Sequence, residues 1–505
     1  MGRFTLGVDV GTQSTKAILY DVRAKTVAAR GVYAYDLLER ASPNAAEQDP
    51  STWIEGIKAS VAQALAAVPG GATKEDIMGV SVSGQQHGLV AIDADGQVVR
   101  PAKLWCDTES APEAEELGAV FGWNMQAGFT ASKALWLKRH EPDNWERTET
   151  ILLPHDWVNY VLTGVKAMEA GDASGIGTMD LGRRCWDAEL CAAVDDRMTS
   201  MLPPLLPPDS KIGEVTPAAA AALGLPAGVP VALGSGDNMM SALGAGCVAE
   251  GRLVISLGTS GTLFGYSASP VRDPTGAVAP FCDSTGGYLP LLCTMNCTQV
   301  VSEVVAMFGG PEAGAGHDEL AAEAVKHSKP GCGGVRFLPY LVGERSPNWP
   351  HASGALTGLR PGTLTQRGVL YRAALEGATY SLLSGVRRMS ELGLPPPTHL
   401  SVVGGGSKSA VWRQTIADAF GVPVRRLLEP ESAALGAAMQ AAAMLEAVPT
   451  REYVLRHPPP YADGEERPDA AAAKAHAENY EAFVAEGKAL FDRRRDGVSR
   501  TEQCG

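Results

Sequence analysis

The sequence predicts an α/β fold built as two similar lobes around a central cleft. Two apolar strand-like runs, far apart in the chain, each break at a Gly-Thr turn and resume. Phe4–Asp9 enters Val10-Gly11-Thr12-Gln13-Ser14-Thr15-Lys16 and continues as Ala17–Asp21, while Leu253–Leu257 enters Gly258-Thr259-Ser260-Gly261-Thr262 and continues as Leu263–Tyr266. Each reads as a β-hairpin, and one at the start of each half predicts a duplicated domain. Strand patterns interleave with helical ones elsewhere, and 505 residues are more than one core usually serves. The expected division is residues 1–248 and 249–505.

In the first lobe, strands fill Phe4 to about Tyr33, a helix follows near Trp53–Ala67, and a strand covers Met78–Val82. That strand runs into Ser83-Gly84-Gln85-Gln86-His87-Gly88 and re-emerges as Leu89–Ile92, a polar, Gly-flanked break suited to presenting side chains to a ligand. Residues from about 111 to 200 read as a helical, irregular insertion walling a pocket, rich in tryptophan (Trp123, Trp136, Trp145, Trp157, Trp186). Pro203-Pro204 and Pro207-Pro208 punctuate a loop before the strand Val229–Leu233, and Asn238–Ala245 reads as a helix start.

In the second lobe, Leu375, Leu382, Val386 and Met389 recur at helical spacing and predict a helix over about Gln366–Leu392, stopped by Pro395-Pro396-Pro397. A strand at His399–Val403, the turn Gly404-Gly405-Gly406-Ser407-Lys408 and a helix from about Ala410 to Phe420 follow. Strand, triple-glycine turn and helix is a nucleotide-binding arrangement, because glycines let a flat base or a phosphate lie against the backbone. A closing amphipathic helix spans roughly Ala471–Arg495, with Arg493-Arg494-Arg495 suited to a helix C-terminus and a disordered tail expected beyond.

A net charge of −14 argues against a nucleic-acid groove. The nine cysteines form no C-x-x-C pair, and Cys293 with Cys297 lacks partners at zinc spacing, so buried thiols in a reducing compartment are expected rather than a structural metal. No signal-peptide pattern opens the chain and no uninterrupted run of about 20 apolar residues occurs. The expected location is the cytoplasm, with no membrane partner.

The chemistry follows from the two turns. Each aims backbone N–H groups and hydroxyls at an anion, and a pair facing each other would hold a phosphate chain between the lobes. Phosphoryl transfer to a hydroxyl further needs a metal, a positioned acceptor and a base. Asp9, on the strand entering the first turn, can hold Mg²⁺ directly or through water; the alternative is a carboxylate capping its own turn. Asp237, framed by Gly234-Ser235-Gly236 behind an apolar strand, is the base candidate. It competes with an N-cap role for the helix that follows, and sequence alone leaves the two even.

These stretches together resemble the FGGY carbohydrate kinase family, whose lobes share an actin-like, ribonuclease-H-like fold. The matching segments are Val8–Thr12, Gly234–Asn238, Ser256–Gly261, Gly404–Ser407 with Trp412-Arg413-Gln414 and Ala417-Asp418, and Glu431–Ala438. Within the family the chain is most similar to the xylulokinase branch, through Gly84–Gly88, Leu104–Asp107, Gly128–Lys133, Phe337–Tyr340 and Gly343–Pro347. Glycerol kinases instead carry an Arg-Glu pair where Gln86-His87 stand here.

The resemblance implies an ATP- and Mg²⁺-dependent kinase converting D-xylulose to D-xylulose 5-phosphate, with a sugar-binding N-terminal and a nucleotide-binding C-terminal lobe. It implies Asp237 as general base and Asp9 as the Mg²⁺ residue. Thr12 and Thr259 would contact phosphates with Gly11, Gln13 and Gly258 beside them, and Gly404, Gly405, Gly406 and Ser407 would border the adenine. His87 and Asn238, with Gln86 and Asp107, would bind the ketose. D-xylulose and ATP are the expected partners, with a homodimer as the candidate assembly. Two alternatives stay open: another FGGY kinase acting on ribulose or xylitol, or a non-catalytic sugar and nucleotide sensor.

Other residues read more plainly. Of Trp105, Trp123, Trp136 and Trp157, most are expected in the core and one at the substrate. Glu344-Arg345 reads as a structural ion pair near the cleft, Glu376-Gly377 as a packing site, and Asp172 has no assigned role.

Overall fold

The computed structural model describes residues 2–462 and 464–492; the predicted arginine run and tail lie outside them. Two sheets dominate, one of seven strands and one of six. The first orders Lys211–Glu214, Pro230–Ala232, Ile77–Gly84, Phe4–Val10, Ser14–Asp21 and Thr26–Ala34, with Ser235–Gly236 also on Ile77–Gly84. The second orders Ala279–Cys282, Tyr288–Thr294, Gly261–Gly265, Arg252–Leu257, His399–Val403 and Val424–Arg426.

The two predicted hairpins hold equivalent places. Phe4–Val10 pairs antiparallel with Ser14–Asp21 and parallel with Ile77–Gly84. Arg252–Leu257 pairs antiparallel with Gly261–Gly265 and parallel with His399–Val403. All seven residues of Phe4–Val10 are buried, which explains a run that is apolar almost throughout rather than alternating.

Local signals set most boundaries. Asp49 caps the helix Pro50–Ala66 by accepting from the Ser51 amide, with Pro50 at its first position. Ser409 caps Ala410–Phe420 and left-handed Gly421 ends it. The closing helix spans Ala470–Phe491, and the long helix is Arg367–Glu391. At Gly377 a Cβ would stand 2.1 Å from the Phe337 carbonyl oxygen, so this glycine is the expected close-packing site.

The insertion holds six complete α-helices, among them Thr130–His140 and Pro154–Thr163, and several two- and three-residue strands. Its tryptophans mostly pack: Trp157 meets Trp53 edge-on at 5.8 Å, Trp145 is buried, and Trp136 lies 4.0 Å from the Lys103 ammonium.

One helix ties the halves together. Ser432–Glu446 lies on the first sheet, where Thr5 Oγ1 donates to the Ala438 carbonyl at 2.8 Å. It crosses the helix Asp237–Gly244 in backbone contact. A Cβ on Gly244 would stand 1.9 Å from the Ser432 oxygen, and one on Gly436 1.9 Å from the Met240 oxygen. The eight cysteines among the described residues are free, and no helix there is long and apolar enough to cross a membrane.

Candidate active site

The first turn is held from beneath by a chain of buried amides. Trp53 Nε1 and Gln85 Nε2 donate to Gln48 Oε1 at 3.0 and 2.9 Å, and Gln48 Nε2 donates to the Thr12 carbonyl at 2.7 Å. Thr12 Oγ1 donates to Gln85 Oε1 at 3.0 Å and accepts from Trp105 Nε1 at 2.9 Å. Tyr35 donates to the Gly11 carbonyl at 2.8 Å. The turn is therefore rigid before any ligand arrives, with Gln13 exposed at its tip. Trp105 is the tryptophan that meets this turn, and 38% of it is exposed.

Asp9 does not cap its own turn. Its carboxylate accepts from Ser83 Oγ at 2.8 Å on the neighbouring strand and from Lys16 Nζ at 3.3 Å. Asp9 in turn raises the Lys16 ammonium above the ordinary lysine range despite burial, and Glu431 at 3.4 Å adds to this.

Asp237 is the first residue of the helix Asp237–Gly244, and Gly236 holds the cap position. The Asp237 carboxylate accepts from Asn238 Nδ2 at 2.9 Å, and the same amide donates to Gln86 Oε1 at 2.7 Å. Burial pushes the Asp237 carboxyl up to about 8, with the charges of Asp9 and Asp172 adding to it. The strand end before it is fixed by Gln440 of the crossing helix, whose Oε1 accepts from the Gly234 amide at 2.9 Å and from Ser81 Oγ at 2.7 Å.

His87 follows Gln86 with a left-handed φ of 64°. Its ring stacks on Phe129 at 5.3 Å and meets Phe281 of the second half at 5.3 Å. Burial, and then the positive charges of Lys133 and Arg345, press the imidazole down to about 3, so it is neutral at physiological pH. Lys133 is fully buried and donates to the carbonyls of Gly128, Phe129 and His87, which fixes the His87 backbone.

Beneath Gly236 and Gln86 sits a buried ionic group that sequence reasoning missed. His155 Nδ1 meets Asp172 Oδ2 at 2.7 Å and Nε2 lies 3.0 Å from Asp156 Oδ1. Burial opposes charge on this ring, but the two carboxylates win and hold it above the usual imidazole range. Glu169 accepts from Ser235 Oγ and from the amides of Gly171 and Asp172, each at 2.6 Å. Asp172 thus acquires a place: it pairs with His155 while its other oxygen faces Gly236. Glu169 is the cap of the short helix carrying Asp172, whereas no local spacing signals the His155 contact.

The second turn is anchored through its backbone. The amides of Cys297 and Thr298 donate to the carbonyls of Thr259 and Gly258 at 3.1 and 3.0 Å, and the Thr259 side chain is exposed. In the glycine run the three positions differ. A Cβ on Gly404 (φ 82°) would come 2.7 Å from the Leu257 oxygen, and one on Gly406 2.8 Å from the Trp412 ring, whereas Gly405 faces open space. Ser407 folds back to donate to the Gly404 carbonyl at 2.7 Å.

Asp107 does not join the group. It is fully buried, accepting from the amides of Ala46 and Glu109 and from Lys103 Nζ at 2.9 Å. Glu47, Asp107 and Glu109 have the spacing of a metal cluster, but Lys103 Nζ already sits among them at 3.2, 2.9 and 2.6 Å.

The site thus combines two anchored Gly-Thr turns, the buried Asp9 beside the first of them, Asp237 at a helix start, and an aromatic, amide-lined pocket at His87. Residues 4–244 match the N-terminal domain of the FGGY family of carbohydrate kinases, and residues 253–445 its C-terminal domain. The chain is 38% identical to the xylulose kinase of Haemophilus influenzae over 450 residues, 86% of this chain and 90% of that protein. It is 40% identical to the xylulose kinase of Streptomyces coelicolor over 456 residues, 88% of each. The solved xylulose kinase of Rhodospirillum rubrum matches with a TM-score of 0.86 and 30% identity, covering 97% of this chain and 99% of that one. With both halves matched and the two-lobed actin-like architecture in place, this ATP-dependent carbohydrate kinase belongs to the FGGY family.

Proposed function

We propose that the chain transfers the γ-phosphoryl group of Mg–ATP to the 5-hydroxyl of D-xylulose, giving D-xylulose 5-phosphate and ADP. The observation that carries this is the Asp237 carboxylate at a helix start, held by Asn238 and close to Gln86 and the neutral His87. The relatives named xylulose kinase support the choice of sugar.

Residues 1–248 form the sugar-binding lobe and residues 249–505 the nucleotide-binding lobe. Asp237 takes the proton of the attacking hydroxyl while Asn238 and Gln86 fix that hydroxyl's neighbours. Neutral His87 offers one donor and one acceptor nitrogen to the ketose. Thr12 and Thr259, with Gly11, Gln13 and Gly258, receive the phosphates, and adenine lies over Gly405, bordered by Gly404, Gly406 and Ser407.

Asp9 and Asp237 fit a divalent cation, since the charge of Asp9 raises the cost of ionising Asp237 and a cation there would lower it. Mg²⁺ at Asp9 would neutralise charge on the β- and γ-phosphates. Asp107 shapes the wall through Lys103 and contacts no sugar.

The test is a coupled ADP-release assay with Mg–ATP over D-xylulose, D-ribulose, L-ribulose, L-xylulose, glycerol, xylitol and D-gluconate. A clear kcat/KM preference for D-xylulose is expected. A different winner would overturn the substrate, and binding without any turnover would overturn the reaction.

A further inference from the structure

The pair Glu344-Arg345 does not form the ion pair its sequence suggests. The buried Glu344 carboxylate accepts from the amides of Met295 and Arg345 at 2.8 Å each, from Ser346 N at 3.4 Å and from Asn296 Nδ2 at 3.1 Å. It staples its loop to the end of the strand Tyr288–Thr294. The half-buried Arg345 guanidinium has no hydrogen-bond or ion-pair partner among the described residues.

The loop's position is equally fixed. Ser346 Oγ donates to the Ala277 carbonyl at 3.0 Å. Four residues on, Phe281 lies against the His87 ring, and the Cys282 amide donates to Ser174 Oγ at 3.2 Å. Gly175, next along, packs against His87 Nδ1, which has no partner of its own. The loop is thereby held on the second-lobe side of the His87 pocket, and the Arg345 charge acts on the His87 ring.

The two ends of the site differ in charge. Asp9, Asp172 and Lys16 act on Asp237, whereas the charges acting on His87 are Lys133 and Arg345, both positive. Lys133 spends its three donors on backbone carbonyls, which leaves Arg345 as the unengaged cation. With the 5-hydroxyl at Asp237, an open-chain pentulose places its carbonyl end toward His87.

Building on the proposed ketose reaction, we propose that Arg345 is a sugar-recognition residue supplied by the second lobe, its planar fork donating to O1 and O2 of the ketose. The sugar is then gripped from both lobes, by His87 and Asn238 on one side and Arg345 on the other. Sugar binding and lobe closure become one event.

The test is a cycle of two substrates, D-xylulose and 1-deoxy-D-xylulose, against wild type and Arg345→Met at saturating Mg–ATP. Wild type should lose roughly 10- to 100-fold in kcat/KM when O1 is removed, the scale of a charged hydrogen bond. Arg345→Met should lose a comparable factor on D-xylulose, mainly in KM, and then treat the two sugars alike within about threefold. Arg345→Lys should recover part of the discrimination. A merely structural role would lower both substrates together and leave their ratio unchanged.

A variant that discriminates as wild type does, or a wild type indifferent to O1, overturns the assignment. If Arg345→Met does not fold, Arg345→Lys carries the same ratio test, because the ammonium keeps the charge and loses the fork. A wild type inactive on D-xylulose would instead sink the proposed reaction, which separates the two failures.

Discussion

Replacing Asp237 by Asn should remove catalysis and stabilise the fold at the same time. The Asp237 carboxyl rises from an ordinary 3.8 to about 8, through burial first and then the charges of Asp9 and Asp172. Between those two pH values the folded chain holds a proton that the unfolded chain has released. Asp237 therefore costs stability as pH climbs through this window, and the cost levels off above it. At pH 7 the mismatch is about a thousandfold in proton affinity, about 4 kcal/mol as an upper bound, and partial exposure brings it toward about 2 kcal/mol. Asn lacks the titration yet keeps an oxygen for the bond from Asn238. The melting temperature of Asp237→Asn should thus exceed that of wild type by several degrees at pH 7, with the gap shrinking toward pH 4. Turnover, followed by ADP release, should fall by roughly 10²- to 10⁴-fold while calorimetry still detects sugar binding. Parallel melting curves across pH would refute the electrostatic reasoning. Near-normal turnover would remove Asp237 from the role of base.

Two further substitutions separate ligand contact from packing. Gly405→Ala should raise KM for ATP without lowering the melting temperature, because its Cβ enters open space, whereas Gly406→Ala should cost about 1–3 kcal/mol by pressing on Trp412 and Leu257; a melting temperature that falls equally for both would contradict this. Lys103→Met leaves the carboxylates of Glu47, Asp107 and Glu109 facing one another and should destabilise by about 3–5 kcal/mol in chemical denaturation. An unchanged midpoint would show that the lysine's charge is not what fixes that wall.

How much of this was legible beforehand depended on whether the signal was local. The strand His399–Val403 and the helix Ala410–Phe420 fall where Pro, Gly and Ser punctuate the sequence. The helix Arg367–Glu391 announces itself by the apolar spacing of Leu375, Leu382, Val386 and Met389 in its second half. Asp237 reads equally as base or cap in the sequence, and the structure puts Gly236, not Asp237, at the cap position. Asp107 looked like a displayed acid because its motif resembles a family pocket, and its commitment to Lys103 shows only in three dimensions. Glu169 caps the short helix that carries Asp172, but His155 comes from the separate helix Pro154–Thr163, so nothing in the spacing foretold the ion pair.

The helix Ser432–Glu446 is the instructive omission. Its face pattern is nearly uniform, Ala, Gly and Met with Gln440, because it is covered on every side by the first sheet and by the helix Asp237–Gly244. An amphipathic period needs a wet face, and this helix has almost none. Its small residues let backbones meet at Gly7, Gly244 and Gly436. Gln440 then reaches through the contact to hold Gly234 and Ser81, three residues ahead of the candidate base and two ahead of the Asp9-bound Ser83. A segment of the second half thus sets the position of the reacting end of the first. Two helices in backbone contact cannot slide without breaking that contact, so the crossing of Gly244 and Gly436 fixes one helix against the other. Asp237 and Asp9 are held in register by it, and Phe281 of the second half stays seated on the His87 ring.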